Sequence, residues 1–166
     1  MKTRIGFVAN SSSSSFILVL PQVPESVEDL HAILFPGGER TLAHPYWYDD
    51  VYSSRQVAET VWSDIQGGPA TKERFQEECQ CGSLEGDPQF DYRVYGRSNP
   101  DQYRKAWDAH ERKVEEYRKA WAAAFRKKHA GKVFFIVEYK DEGAFGCFME
   151  HGDVFRNIDH QRISKH

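Results

Sequence analysis

The run Phe16-Ile-Leu-Val-Leu20 most constrains the fold, because it is continuous, apolar and β-prone, and Pro21 stops it. A segment with no polar face reads as a buried strand. Five consecutive serines, Ser11–Ser15, stand directly before it, and Ile5–Val8 precedes them as a second strand-like piece. Folding is therefore expected to pin the serines at both ends, as an ordered corner that concentrates hydroxyls and backbone N–H groups.

Across 166 residues, 40% hydrophobic content with 14% aromatic supports a packed core and argues against disorder. One domain spanning residues 1–166 is expected, with no repeat and no linker. A net charge of −3 offers no global attraction to nucleic acid or an anionic membrane. No apolar run reaches membrane-span length, and the N-terminus lacks a signal-peptide core, so a cytoplasmic location is expected. Three cysteines, Cys79, Cys81 and Cys147, make no disulfide framework, and an odd number suits a reducing compartment.

Val27, Leu30, Ile33 and Leu34 recur at helical spacing behind an acidic first turn, and Pro36-Gly37-Gly38 ends that helix. His44–Tyr52 is dense in aromatics and reads as an irregular packed loop, with Trp47 and Tyr48 as candidates for an exposed surface. Ser53 or Ser54 caps a second helix carrying Val57, Val61 and Ile65, and a third helix covers Lys72–Cys79. Gly82–Pro100 reads as a long loop with a strand at Phe90–Tyr95.

The clearest helix begins at the Asn99 cap and Pro100. Tyr103, Trp107, His110, Val114, Tyr117, Trp121 and Phe125 form one stripe, closed by Arg126-Lys-Lys-His129 and Gly131. At ~1.5 Å per residue it spans roughly 40 Å, more than a small sheet's width. It is expected to pack on its own sheet, and its spacing also permits a homodimer seam.

Val133–Tyr139 and Ala144–Glu150 flank Lys140-Asp-Glu-Gly143 and predict a hairpin, with Asp153–Phe155 as a third strand. The fold class is α+β. A mostly antiparallel sheet from the N- and C-terminal strands packs against helices, one of them long and near 100–129.

Three readings of the serine corner follow from its chemistry. Asn10 and Ser11, Ser12, Ser13, Ser14 and Ser15 can line an anion-binding concavity. One serine can act as a nucleophile if a base lies within reach. Or the hydroxyls only satisfy local backbone groups. The glycines of a phosphate loop are absent, since Gly6 stands alone.

The second constellation is the tail, where His151, His160 and His166 alternate with Asp153 and Asp159. Imidazole and carboxylate suit a divalent metal, for which His151, Asp153, His160 and His166 are the candidates. His151 and His160 are equally candidates for general acid–base catalysis. No HExxH or comparable template is present, and satisfied surface or core histidines explain the same pattern. His44 stands beside them as a further candidate. Cys79-Gln-Cys81 has the wrong spacing for a zinc knuckle. Asp49-Asp50 and Asp141-Glu142 are adjacent carboxylates, the second pair at the expected hairpin tip.

The opening Gly6-Phe-Val-Ala-Asn-Ser-Ser-Ser-Ser-Ser-Phe16 resembles an N-terminal motif, roughly GFVSNSSSSSF, of small bacterial and phage proteins of uncharacterised activity. Ala9 stands where serine is usual. Leu20-Pro-Gln-Val-Pro-Glu-Ser-Val-Glu-Asp-Leu30 is similar to a proline-flanked strand-to-helix junction in some of them. The resemblance implies a phage- or bacteria-type accessory protein and carries no catalytic residue with it. Its expected mode is binding, of a protein partner or a small anionic ligand, through the serine corner and the aromatic loop. The alternative is a hydrolase or transferase on a phosphate-bearing substrate, with the serines as cradle and His151 or His160 as base or metal ligand.

Overall fold

The structure, a computed structural model, describes residues 13–47, 49–92 and 99–165. In chain order the elements are β1 (Ser13–Leu20), α1 (Val27–Leu34), β2 (Thr41–Ala43), β3 (Val51–Ser53), α2 (Ser54–Asp64), α3 (Lys72–Glu78), α4 (Pro100–Lys128), β4 (Val133–Lys140), α5 (Gly143–His151) and β5 (His160–Ser164). The fold is α+β, as expected. Its main sheet has the order β4-β1-β5, and both pairings are antiparallel.

β1 is the central strand, which explains its unbroken apolar run. Successive side chains point to opposite faces. Phe16, Leu18 and Leu20 join Leu30 and Leu34 of α1, Val57 and Val61 of α2, and Phe148 and Met149 of α5. Ile17 and Val19 join Phe75 of α3, Ala122 of α4 and Ile163 of β5 on the other side. Helices therefore cover the sheet on both faces.

Of the caps expected from sequence Ser53 and Asn99 act, and the structure adds a third at Ser26. Ser26 Oγ accepts from the Asp29 N–H at 3.1 Å, Ser53 Oγ from Gln56 N–H at 3.0 Å, and Asn99 Oδ1 from Asp101 N–H at 2.9 Å. The long helix packs on the sheet only near its C-terminal end, through Trp121, Ala122 and Phe125. Further towards its N-terminus, Tyr103, Trp107 and His110 gather instead around Phe90 of the preceding loop, at centroid distances of 5.0–5.7 Å.

Three expectations are corrected. Ala144–Glu150 is not the second strand of a hairpin; it lies in α5, and β4 pairs with β1 instead. Gly143 and Gly146 disguise this helix, since both are poor helix formers. Gly146 is needed because a Cβ there would collide with the Lys140 carbonyl oxygen, where the chain doubles back. Asp153–Phe155 is turn, and the third strand is β5, seven residues beyond Asp153. Phe90–Tyr92 is not strand, and the rest of that expected segment lies outside the described residues. The aromatic loop is more regular than expected, because β2 and β3 pair into a short hairpin that carries it.

Candidate functional site

Strand pairing begins at Ser13, so Ser13, Ser14 and Ser15 are ladder residues and not part of a loop. Asn10, Ser11, Ser12 and Ile5–Val8 lie outside the described residues. The tail does return to the serines. In the β1–β5 ladder Ser14 pairs with Ser164, Ser15 with Ile163 and Phe16 with Arg162.

Ser14 is fully buried and sits between two charges. Its Oγ donates to Glu150 Oε1 at 2.8 Å and accepts from Arg162 Nε at 2.9 Å. Arg162 Nη2 donates to the same Glu150 oxygen at 3.1 Å, closing a triangle. The Glu150 side chain is wholly buried and that of Arg162 is 38% exposed. A buried carboxylate is tolerated only when charge and hydrogen bonds compensate it, and the triangle supplies both. Ser14 is thus a bridging residue with its proton already committed. Ser15 turns to the opposite face, where its buried Oγ has no hydrogen-bond partner among the described residues.

Beside the triangle lies a cleft of about 150 Å³ lined by Phe16, Glu150, His151, Asp153, His160 and Arg162. His151 and His160 therefore face one hollow, with Arg162 reaching from it to Ser14. Glu150 Oε2 lies 3.7 Å from His151 Nε2. His160 Nδ1 is 3.1 Å from the Ile158 carbonyl oxygen, and its ring packs near Phe16 and Phe155.

On its other flank α5 brings together Asp141, Cys147 and His151. One ligand atom from each lies within 4.8 Å of the other two, and among the described residues this is the one such group that could hold a cation. Cys147 and His151 share a helix face by their i, i+4 spacing, and Asp141 comes from the turn before the helix. Burial pushes the Cys147 thiol up to about 11, helped by the Asp141 and Glu150 carboxylates. Of the metal candidates read from sequence, only His151 belongs to this group. Asp153 and His160 do not join it, and His166 lies outside the described residues. From sequence Asp141 reads only as one of an adjacent carboxylate pair and Cys147 as an isolated thiol, because a turn and a strand are expected there. The helical spacing of Cys147 and His151 was the signal that could have found them.

The hairpin seals the same corner. His44 is buried, and its Nδ1 accepts from the N–H groups of Tyr46 and Trp47, each at 3.0 Å. The proton therefore belongs on Nε2, which donates to the Ala144 carbonyl at 3.1 Å. His44 pins the hairpin to α5 and is no ligand. Trp47 stacks on His44 at 4.3 Å, Tyr46 meets His151 edge-on at 5.6 Å, and Tyr52 packs on Phe148 at 4.6 Å. Tyr46, Trp47 and Val51 are nonetheless 60%, 48% and 57% exposed. Tyr48 lies outside the described residues.

A larger groove of about 520 Å³ runs along α4, lined by Phe90, Trp107, His110, Val114 and Arg118. Arg118 grips Asp87 there, with Nη2 to Oδ2 at 2.6 Å. Among the described residues, none of the serine run or the tail reaches it. Among the described residues no helix is long and apolar enough to cross a membrane. Comparison with protein families, with curated proteins and with solved structures gives no match.

Proposed function

We propose that this chain is an accessory protein that works by binding, and that the corner formed by the β2–β3 hairpin and α5 is its contact surface for a protein partner. The observation that carries this is the exposure of Tyr46, Trp47 and Val51 on one short, well-anchored hairpin. Large apolar groups left in water beside a packed core mark interaction sites, and tryptophan and tyrosine are the side chains that most often dominate such contacts. The anchoring matters as much as the exposure. His44 holds the tip from beneath, so little ordering cost falls on association.

The test compares the proteins retained from source cells by the wild-type chain and by a Tyr46→Ala/Trp47→Ala variant of unchanged circular dichroism. A partner held by the wild type and lost by the variant supports the reading. Equal retention by both, or no specific partner at all, overturns it.

A second reading has its own observation, the convergence of His151, His160 and Arg162 on one small cleft. On that reading the chain takes a phosphate-bearing ligand and acts as a hydrolase or transferase, with an imidazole as base. Ser14 is not the nucleophile, because it is buried and bonded on both sides. Inorganic phosphate titrated into labelled protein should shift the His151 and His160 resonances, and Arg162→Met should abolish the shift. Resonances that stay fixed at millimolar phosphate remove this reading and leave the first standing.

A further inference from the structure

We propose that Asp141, Cys147 and His151 form a binding site for zinc or a similar divalent transition metal. The proposal stands apart from the partner-binding reading and survives its failure. Its basis is geometric, since a carboxylate oxygen, a thiol sulfur and an imidazole nitrogen converge within 4.8 Å of one another. Zinc bonds of ~2.0–2.3 Å place tetrahedral ligands roughly 3.3–3.8 Å apart, so a contraction of about 1 Å, within the reach of side-chain rotation, closes the site.

The donor set selects the metal. Magnesium and calcium take hard oxygen ligands and reject a thiolate, whereas sulfur with imidazole suits zinc. Three protein ligands leave a fourth position open to water, the pattern of reactive sites rather than closed structural ones. On binding, the Cys147 S–H bond breaks, the sulfur–metal bond forms and the proton passes to solvent.

The surroundings are built to hold the three groups in place. Cys147 and His151 are fixed by one rigid helix turn. The absent side chain at Gly146 lets α5 approach the Lys140 carbonyl, which keeps the turn bearing Asp141 close to the helix. A carboxylate placed next to a ligating histidine sets its orientation, and Glu150 lies 3.7 Å from the His151 ring, itself held by Ser14 and Arg162. Tyr46 packs edge-on against the same ring and limits its movement. The triangle thereby gains a role as the support behind His151.

The experiment uses the full chain, stripped with a chelator and titrated with zinc in competition with a chromophoric chelator, then with cobalt(II) alone. One zinc per chain is expected, and the cobalt form should show a thiolate-to-metal charge-transfer band. Cys147→Ser should remove that band and weaken zinc at least about tenfold. Asp141→Asn, at an exposed position that the fold tolerates, should weaken zinc by about tenfold with the band retained. Cys81→Ser, at an exposed thiol elsewhere, should change nothing. The proposal is overturned by no uptake at micromolar zinc. It is equally overturned by a cobalt spectrum without the band, by unchanged affinity in Asp141→Asn, or by dependence on Cys81.

Discussion

The two faces of the sheet share β1 yet differ in kind. One face is closed by Phe75, Cys79, Leu84, Ala122 and Phe134 around Ile17 and Val19, with side chains that carry little hydrogen-bonding chemistry. The other begins as a similar apolar cluster under α1 and α2. Towards the serine end of β1 it gives way to Ser14, Glu150 and Arg162, with Cys147 and His151 alongside. The two buried cysteines mark the contrast. Cys79 lies in the apolar cluster with Glu78 and Arg118 acting on it only through space, whereas Cys147 lies within 4.8 Å of a carboxylate oxygen and an imidazole nitrogen. Among the described residues, the proposed ligands and the residues of the small cleft gather at one end of one face.

The largest effect that can sharpen this contrast lies on the closed face. Phe75→Ala removes a fully buried ring and should cost about 3–5 kcal/mol, read by urea denaturation. A loss below about 1 kcal/mol would show that face to be loosely filled. On the polar face, Glu150→Ala strands Arg162 and Ser14. Because the arginine is partly solvated, the expected loss is about 2–3 kcal/mol, less than for a wholly buried pair. A double-mutant cycle with Ser14→Ala should return a coupling of about 1 kcal/mol, and a coupling near zero would dissolve the triangle.

A smaller effect depends on pH. Burial pushes the Cys79 thiol from 9.0 up to about 12, with the neighbouring Glu78 adding to the shift. A raised folded value favours the neutral thiol, so its contribution is complete below pH 9 and is lost as pH rises from 9 towards 12. Between pH 8 and pH 10 this thiol should account for about 1 kcal/mol of lost stability. Cys79→Ala should remove that part of the slope in paired denaturation curves. The smallest change is expected at the surface, where Trp47→Ala should alter stability by only ~0.5 kcal/mol. A cost comparable with Phe75→Ala would place the tip in the core and end its candidacy as a contact surface.

What the sequence reveals follows from periodicity and caps. β1, α1, α2 and α4 are legible because each combines an apolar pattern with a local start or stop signal such as Pro21, Pro36, Ser53 or Asn99. α5 and β5 were not, and both build the site. In α5 the close approach at Gly146 demands a residue that argues against a helix. In β5 only Ile163 is apolar, because the strand lies at a sheet edge and His160 and Arg162 face the polar corner. Residue type singles out His151 in the sequence and Asp141 only as one of an adjacent carboxylate pair, and their proximity to each other and to Cys147 depends on a turn that no local pattern announces. A run of small polar residues between two apolar segments reads as a corner, yet Ser13–Ser15 lie in a strand. Ser14 is accommodated in one by two charged partners 136 and 148 residues away.

That separation has a consequence in time. β1 is the most apolar and β-prone segment of the chain, yet both strands that cover its edges are made more than a hundred residues later. At roughly 5–20 residues per second of synthesis, its open edges wait on the order of ten seconds for the first partner. During that interval it is a template for neighbouring nascent chains. Folding dominated by such distant pairings is also slow once the chain is complete. Yield in the cell should therefore respond to chaperone supply and translation speed more than to small gains in native stability.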